Sequence, residues 1–225
     1  MGKSGCIVII SALSEWQAVK EILTPADIET TPYGETFEAK SLTYFHGGWG
    51  KISAAASAQY VVDQYHPDLL VNLGTCGGLT GRIERGTILL VSRTIVYDII
   101  EQMSDPEGAI DHYSTDIDLS WLKEPLPHPV QRGLLVSADR DIVREDIPKL
   151  IEKYGAVAAD WESGAIAWVV GHNKVKCLIL RGVTDLVSSY GGEAYRNIEL
   201  FHSMTRTIMK KLLDQLPDWL TAVNE

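Results

Sequence analysis

Two acidic side chains and a tryptophan stand together in the stretch VAADWESGAI, residues 157–166. Asp160 and Glu162 are two positions apart, so on an extended backbone they share one face while Trp161 points the other way. An ordinary surface segment does not explain a tryptophan at the start of an apolar run. A carboxylate at the mouth of a pocket, with Trp161 as a wall of that pocket, explains both residue types.

Two further carboxylates stand where predicted strands end. Glu15 begins a helix after the apolar run at residues 6–10, and Asp185 follows Thr184 in RGVTD after the run at residues 176–181. Each has a plain structural explanation, because an acid favours a helix N-terminus and an Asp can cap a turn. In α/β proteins, however, ligands bind at the carboxyl ends of parallel strands. We therefore treat these acids, with Glu162, as candidates for one site.

Two glycine-rich turns stand at similar places, HGGWGKIS at residues 46–53 and GTCGG at residues 74–78. The first does not have the spacing of a nucleoside-triphosphate loop, because Phe45 and Ile52 occupy the positions that need Gly and Ser or Thr. The second suits a nest of backbone amides beside a sugar or an anion, with Thr75 adding a hydroxyl. A turn that merely excludes bulky side chains is the alternative for both.

Short strands and helices alternate along the chain, which predicts an α/β fold with a mostly parallel central β-sheet. The strand candidates are continuous apolar runs, typical of strands buried on both faces. They are residues 6–10, 42–45, 69–73, 87–92, 133–137 and 176–181. The helix candidates are residues 15–23, 52–65, 147–154, 163–170 and 197–216. Residues 104–129 are predicted to be a surface excursion within one domain covering residues 1–225.

Composition narrows the class of protein. With 45% hydrophobic and 22% charged residues among 225, the chain can bury a sizeable core. A net charge of −10 argues against a nucleic-acid partner. Cys6, Cys76 and Cys177 have no disulfide or zinc spacing, and the N-terminal apolar run is too short for a signal peptide or a membrane span. These features predict a cytoplasmic protein without a membrane partner or a bound metal.

Seven segments, in order, resemble the nucleoside phosphorylase and nucleosidase superfamily, particularly its 5'-methylthioadenosine/S-adenosylhomocysteine nucleosidase branch. They are SALSEWQAV, GGWGKISAAASA, VNLGTCGGLTGRIERGTILLVS, the pair Tyr97-Asp98, LLVSADRDIV, VAADWESGAIAWV and LRGVTDLV. The resemblance covers nearly the whole chain. It implies one α/β domain built around a twisted, mixed central β-sheet flanked by helices. The resemblance also implies a homodimer or larger homo-oligomer that cleaves purine nucleosides without a cofactor.

The resemblance also implies roles for the three acids. Asp185 matches the acid that protonates N7 of the leaving purine, Glu162 the carboxylate that holds the ribose hydroxyls, and Glu15 the acid that orients the attacking water. A carboxylate beside the sugar stabilises the positive charge that develops during ribosyl transfer. The candidate substrate-binding residues are Thr75, Cys76, Gly77, Asp141, Ile142, Trp161 and Thr184.

Some positions leave alternatives open. Asn72 stands where the hexameric phosphorylases have an arginine for phosphate, which favours water as the nucleophile over phosphorolysis. Trp161 replaces a common Met, and Asp141 stands where the nucleosidases often have a purine-stacking Phe, so an altered base or sugar pocket is expected. A nucleoside-sensing module that binds without turnover is the rival from another class.

Overall fold

The computed structural model describes residues 5–194 and 197–223. The strands are β1 Cys6–Ile10, β2 Glu29–Thr31, β3 Gly34–Ala39, β4 Leu42–His46, β5 Leu69–Leu79, β6 Ile88–Val96, β7 Ser114–Asp116, β8 Gln131–Ser137, β9 Ala158–Asp160, β10 Lys176–Ser188 and β11 Gly191–Gly192. The helices are α1 Leu13–Leu23, α2 Gly50–Tyr65, α3 Pro106–His112, α4 Ser163–His172 and α5 Ile198–Thr221, with a π-helical turn at Lys149–Lys153.

The central sheet has parallel and antiparallel pairs, so it is mixed, as the family resemblance implies. Its strand order is β11-β10-β6-β8-β9-β5-β1-β4-β3-β2, with β7 paired to β6. Strand β10 pairs with both β5 and β6, and β8 and β9 complete the circuit back to β5. Five strands therefore close into a ring, and the rest of the sheet extends from β5 through β1.

Helices cover both faces of the sheet because its inner strands are apolar on both sides. In β1, Val8 and Ile10 pack into one core with Trp16 of α1 and Leu212 of α5. Ile7 and Ile9 of the same strand point into a second core, with Ala54 and Ala58 of α2 and Ile166 and Val170 of α4. The continuous apolar runs of the sequence correspond to this arrangement of three layers.

Several boundaries differ from the sequence-based prediction. The predicted turn at residues 74–78 lies inside β5, and Arg181 to Asp185 lie inside β10, where a register shift separates Val183 from Asp185. Strand β9 was not predicted. The expected helix at residues 147–154 is present as a short helical segment, most of which is the π-helix Lys149–Lys153. The surface excursion at residues 104–129 contains α3 and β7. Of the described helices, none combines the length and the apolar character needed to cross a bilayer.

Candidate active site

One cavity of about 510 Å³ opens where β5, β9 and β10 approach the start of α1. All ten side chains or backbone segments proposed from the sequence line it. They are Glu15, Thr75, Cys76, Gly77, Asp141, Ile142, Trp161, Glu162, Thr184 and Asp185. The structure therefore brings together three carboxylates that are up to 170 positions apart in the chain, counting from 15 to 185.

Glu15 faces the cavity from the first turn of α1, whereas its neighbour Trp16 points into the core. One carboxylate oxygen accepts hydrogen bonds from the Thr75 amide at 2.6 Å and the Thr75 hydroxyl at 2.7 Å, and the other from the Ala12 amide at 3.3 Å. Burial raises the pKa of Glu15, against the opposing effects of Arg181 and Thr75. A buried carboxylate with a raised pKa and a fixed orientation is suited to accept a proton.

A buried arginine stands behind these acids, and the sequence-based reasoning did not assign it a role. Arg181 is 1% exposed. Its guanidinium lies 2.9 Å from Asp160 and donates hydrogen bonds to the Ser163 hydroxyl at 2.8 Å and the Asn72 side-chain oxygen at 2.7 Å. Since an arginine is almost never fully buried without partners, its place in the apolar run LILRGV was the available signal.

Gly74 gives the arginine its space. A Cβ atom at this position would lie 1.6 Å from Arg181 Nη1 and 2.9 Å from Glu15 Oε2. The glycine is therefore required by close approach inside a strand, not by a turn. As a result the Arg181 guanidinium lies beside Glu15 and supplies positive charge to the buried acids.

Glu162 is 6% exposed and is the residue before α4, but its side chain makes no hydrogen bond to the first turn of that helix. Its Oε1 accepts a hydrogen bond from the Gly50 amide at 3.0 Å. Burial and then the nearby Asp160 raise the pKa of Glu162 to about 8, while Arg181 and the Gly50 amide act in the opposite direction. The carboxyl group therefore ionises around pH 8, and once ionised it can accept hydrogen bonds from two vicinal hydroxyls.

Asp185 lies in β10 directly after the register shift in the pairing of β10 with β5. Burial raises the pKa of Asp185, while a hydrogen bond donated by the Thr184 hydroxyl at 2.9 Å favours its ionised form. The same hydroxyl lies 3.3 Å from the Cys76 carbonyl oxygen. Asp185 is thus a carboxyl group that tends to keep its proton and can give it to a bound ligand.

Aromatic rings form another wall of the cavity. Trp161 stacks on Trp49 with ring centroids 4.9 Å apart, and Trp49 is 66% exposed. Buried Tyr97 also lines the cavity, and its hydroxyl has no hydrogen-bond partner within the described residues. The guanidinium of Arg140 stands over the Tyr97 ring, 5.5 Å from its centroid. The sequence-based reasoning assigned no role to Tyr97 or Arg140.

The remaining proposed residues differ in character. Asp141 is exposed and Ile142 is buried, and both follow β8. Burial raises the pKa of the Cys76 thiol, so this side chain is a neutral part of the wall. Within residues 5–194 and 197–223, no group of three or more His, Cys, Asp or Glu side chains is arranged to hold a metal ion.

The sheet closes into a ring through β10, and three acids line one cavity beside it. This arrangement is that of the nucleoside phosphorylase fold. The sequence model of the Phosphorylase superfamily matches residues 7–216, and the chain belongs to that family. It is similar to curated 5'-methylthioadenosine/S-adenosylhomocysteine nucleosidases. The Buchnera aphidicola (Schizaphis graminum) protein is 26% identical, with 93% of this chain and 97% of the relative covered. The Thermotoga maritima protein is 27% identical, with 75% and 77% covered.

Solved structures confirm the fold. The nucleosidase of that name from Helicobacter pylori, crystallised with butyl-thio-DADMe-Immucillin-A, has a TM-score of 0.77 at 16% identity and covers 95% of this chain and 98% of its own. The 5'-methylthioadenosine nucleosidase of Arabidopsis thaliana in apo form has a TM-score of 0.77 at 19% identity and covers 94% of each chain.

Proposed function

We propose that this protein is a purine nucleoside N-ribohydrolase. It cleaves the N-glycosidic bond of an adenosine-type nucleoside, such as 5'-methylthioadenosine or S-adenosylhomocysteine, with water as the nucleophile. The observation that carries this proposal is the convergence of Glu15, Glu162 and Asp185 on one cavity. The names of the curated relatives supply the substrate class.

Each acid has a distinct task in the proposed reaction. Asp185 gives its proton to N7 of the purine, so that the base leaves as a neutral molecule while the C1'–N9 bond breaks. Glu162 holds the ribose hydroxyls and stabilises the positive charge that develops on the sugar. Glu15 accepts a proton from water as the water oxygen bonds to C1'. The products are the free base and the free sugar, and the proton taken by Glu15 replaces the one lost from Asp185 through solvent.

The buried arginine supports water over phosphate as the nucleophile. A phosphate co-substrate needs cationic side chains that are free to form bidentate contacts. Arg181 already contacts Asp160, Ser163 and Asn72. Asn72, which stands at the position of a phosphorylase arginine, is itself part of that network.

An assay of base release separates the proposed activity from its alternatives. We expect the purified protein to release free adenine from 5'-methylthioadenosine or S-adenosylhomocysteine in phosphate-free buffer, measured by chromatography beside adenosine and inosine. Added phosphate should leave the rate unchanged, and the product should be the free sugar. A sugar 1-phosphate would identify a phosphorylase, and nucleoside binding with no base release would identify a sensing module.

We also propose that the protein forms a homodimer or a larger homo-oligomer. Four large apolar side chains are exposed after the ends of β4 and β6, namely Trp49, Ile52, Ile100 and Met103, at 66%, 84%, 80% and 96%. Large apolar side chains that are this exposed support a protein–protein contact. Sedimentation at micromolar concentration should give at least twice the 24.8 kDa of one chain, and a monomer would contradict the proposal. A cytoplasmic location stays a prediction from the sequence.

A further inference from the structure

The start of α2 is held by carboxylates from distant parts of the chain. Trp49, the residue before the helix, makes no side-chain hydrogen bond to the first turn. Instead the Gly50 amide donates to Glu162 Oε1 at 3.0 Å, and the Lys51 amide donates to Asp139 Oδ1 at 2.8 Å. The first amides of a helix have no partner within the helix and carry partial positive charge. Glu162 and Asp139 are therefore the acceptors for this helix end.

A second set of contacts fixes the same helix end to two strand ends. The Lys51 ammonium is hydrogen-bonded to Asp98, which follows β6, and lies 3.7 Å from Asp139 Oδ2, which follows β8. The Asp139 amide donates to Asp98 Oδ2 at 3.0 Å. Lys51, Asp98 and Asp139, which we call the anchor triad, are not among the residues that line the cavity. They reach the cavity indirectly, and the contact that leads from Lys51 to an acid of the cavity is the hydrogen bond from the neighbouring Gly50 amide to Glu162.

The backbone conformation at Gly50 restricts which residue can stand between Glu162 and Asp139. Gly50 has a φ of +81°, which favours glycine, and a Cβ there would lie 3.0 Å from Asp139 Oδ1. The stacking of Trp49 on Trp161 joins the same two segments one residue earlier. Residues 49–50 and 161–162 are thus connected by a ring contact and a hydrogen bond side by side.

We propose that the anchor triad is a set of positioning residues that holds the Gly50 amide against Glu162, so that this carboxylate is oriented and ionised when the sugar binds. The proposal rests on the proposed function, in which Glu162 contacts the ribose. It adds three residues that never touch the substrate.

The charges around Glu162 explain why such support matters. Asp160 on β9 and Glu15 on α1 are acids that disfavour ionisation of Glu162, while Arg181 on β10 and the Gly50 amide of α2 favour it. Arg181 is shared with Asp160 and two polar side chains. Without a firmly placed Gly50 amide, the pKa of Glu162 should rise further, because a hydrogen bond to the charged form is lost.

The test compares Asp139→Ala with Asp139→Asn. The alanine variant removes the acceptor for the Lys51 amide, whereas the asparagine variant keeps an oxygen in its place. We expect kcat/KM at neutral pH to fall about tenfold in Asp139→Ala, and the acidic limb of its pH profile to move upward by about one pH unit. Asp139→Asn should recover most of the loss. Because activity requires ionised Glu162, the ratio between the unmodified protein and Asp139→Ala should shrink as pH rises, whereas the loss of the Asp185 proton lowers the activity of both alike.

Asp105→Ala is the matched control. Asp105 also caps a helix, since its carboxylate accepts from the Gly108 amide at 2.9 Å, but α3 has no contact with Glu162 in this network. The pH profile of this variant should equal that of the unmodified protein. A loss of activity in Asp139→Ala that is equal at every pH would overturn the proposal, because that pattern indicates only a structural role.

A second measurement does not need turnover. Titration of Glu162 should alter the fluorescence of the stacked Trp49 and Trp161, and subtracting the titration of Glu162→Gln isolates that transition. In Asp139→Ala the transition should occur about one pH unit higher than in the unmodified protein. A transition at an unchanged pH contradicts the positioning role. If the unmodified protein releases no base from any nucleoside, the proposed function fails, and the fluorescence shift still decides this inference.

Discussion

Asp185→Asn should lower kcat by about 10²–10⁴-fold, the usual contribution of a positioned general acid. Asparagine fills nearly the same volume and can still donate a hydrogen bond to N7, but it has no proton to transfer. Nucleoside binding should therefore remain near its original affinity. The measurement is the rate of free-base release at saturating substrate, with binding followed separately by equilibrium dialysis.

The matched control for this variant is Asp141→Asn, which makes the same chemical change in the same cavity. Asp141 is an exposed carboxylate after β8, so its loss should affect KM more than kcat. Because burial raises the pKa of Asp185, activity should decline as pH rises through that pKa and the proton is lost. Retention of more than one tenth of kcat by Asp185→Asn would show that another group protonates the base.

The apolar strands of the fold could be predicted from sequence, but the location of certain glycines inside a strand could not. Residues 6–10 are apolar at every position and coincide with β1. Gly74 and Gly78 suggested a turn, yet they lie in β5. They are glycines because other side chains occupy the space that a Cβ atom would need. Arg181 fills that space at Gly74, and Ile83 and Val183 fill it at Gly78. A glycine required by close approach and a glycine required by a turn look the same in the sequence, and only the tertiary structure distinguishes the two cases.

The three-residue strand β9 shows a second limit. Its residues Ala158, Ala159 and Asp160 have no alternating pattern, and their strand conformation comes from pairing with Gly77 and Gly78 on β5 and with residues 135–137 on β8. This pairing directs Asp160 toward Arg181. A short strand between two longer ones is determined by its neighbours and not by its own sequence.

The acids of the site could be proposed from sequence because each stands shortly before or after an apolar run, but their partners could not. Asn72 lies 109 positions from Arg181, and nothing local to either residue indicates the contact. The contacts of the anchor triad could not be predicted for the same reason, because Lys51 and Asp98 are 47 positions apart. Motifs therefore indicated which acids lie around one cavity, while the groups that orient these acids depend on how the strands meet.

Glu162→Gln should lower kcat by about 10²–10³-fold, the size of effect seen when one preorganised electrostatic group is removed from a site. The amide keeps the length of the side chain and can still bond to a ribose hydroxyl. It has no negative charge, however, and the charge matters most when the sugar becomes cationic. The loss should therefore appear in kcat more than in KM. Steady-state kinetics with the preferred nucleoside measure both constants.

Glu162→Asp, which keeps the charge on a shorter side chain, should lie between Glu162→Gln and the unmodified protein. The acidic limb that Glu162 contributes to the pH profile should be missing from Glu162→Gln, since the pKa of about 8 belongs to the group that has been replaced. A raised KM with unchanged kcat would mean that Glu162 holds substrate and transition state equally well. In that case the positive charge on the sugar must be stabilised by another group, and Glu15, which lines the same cavity, becomes the first candidate.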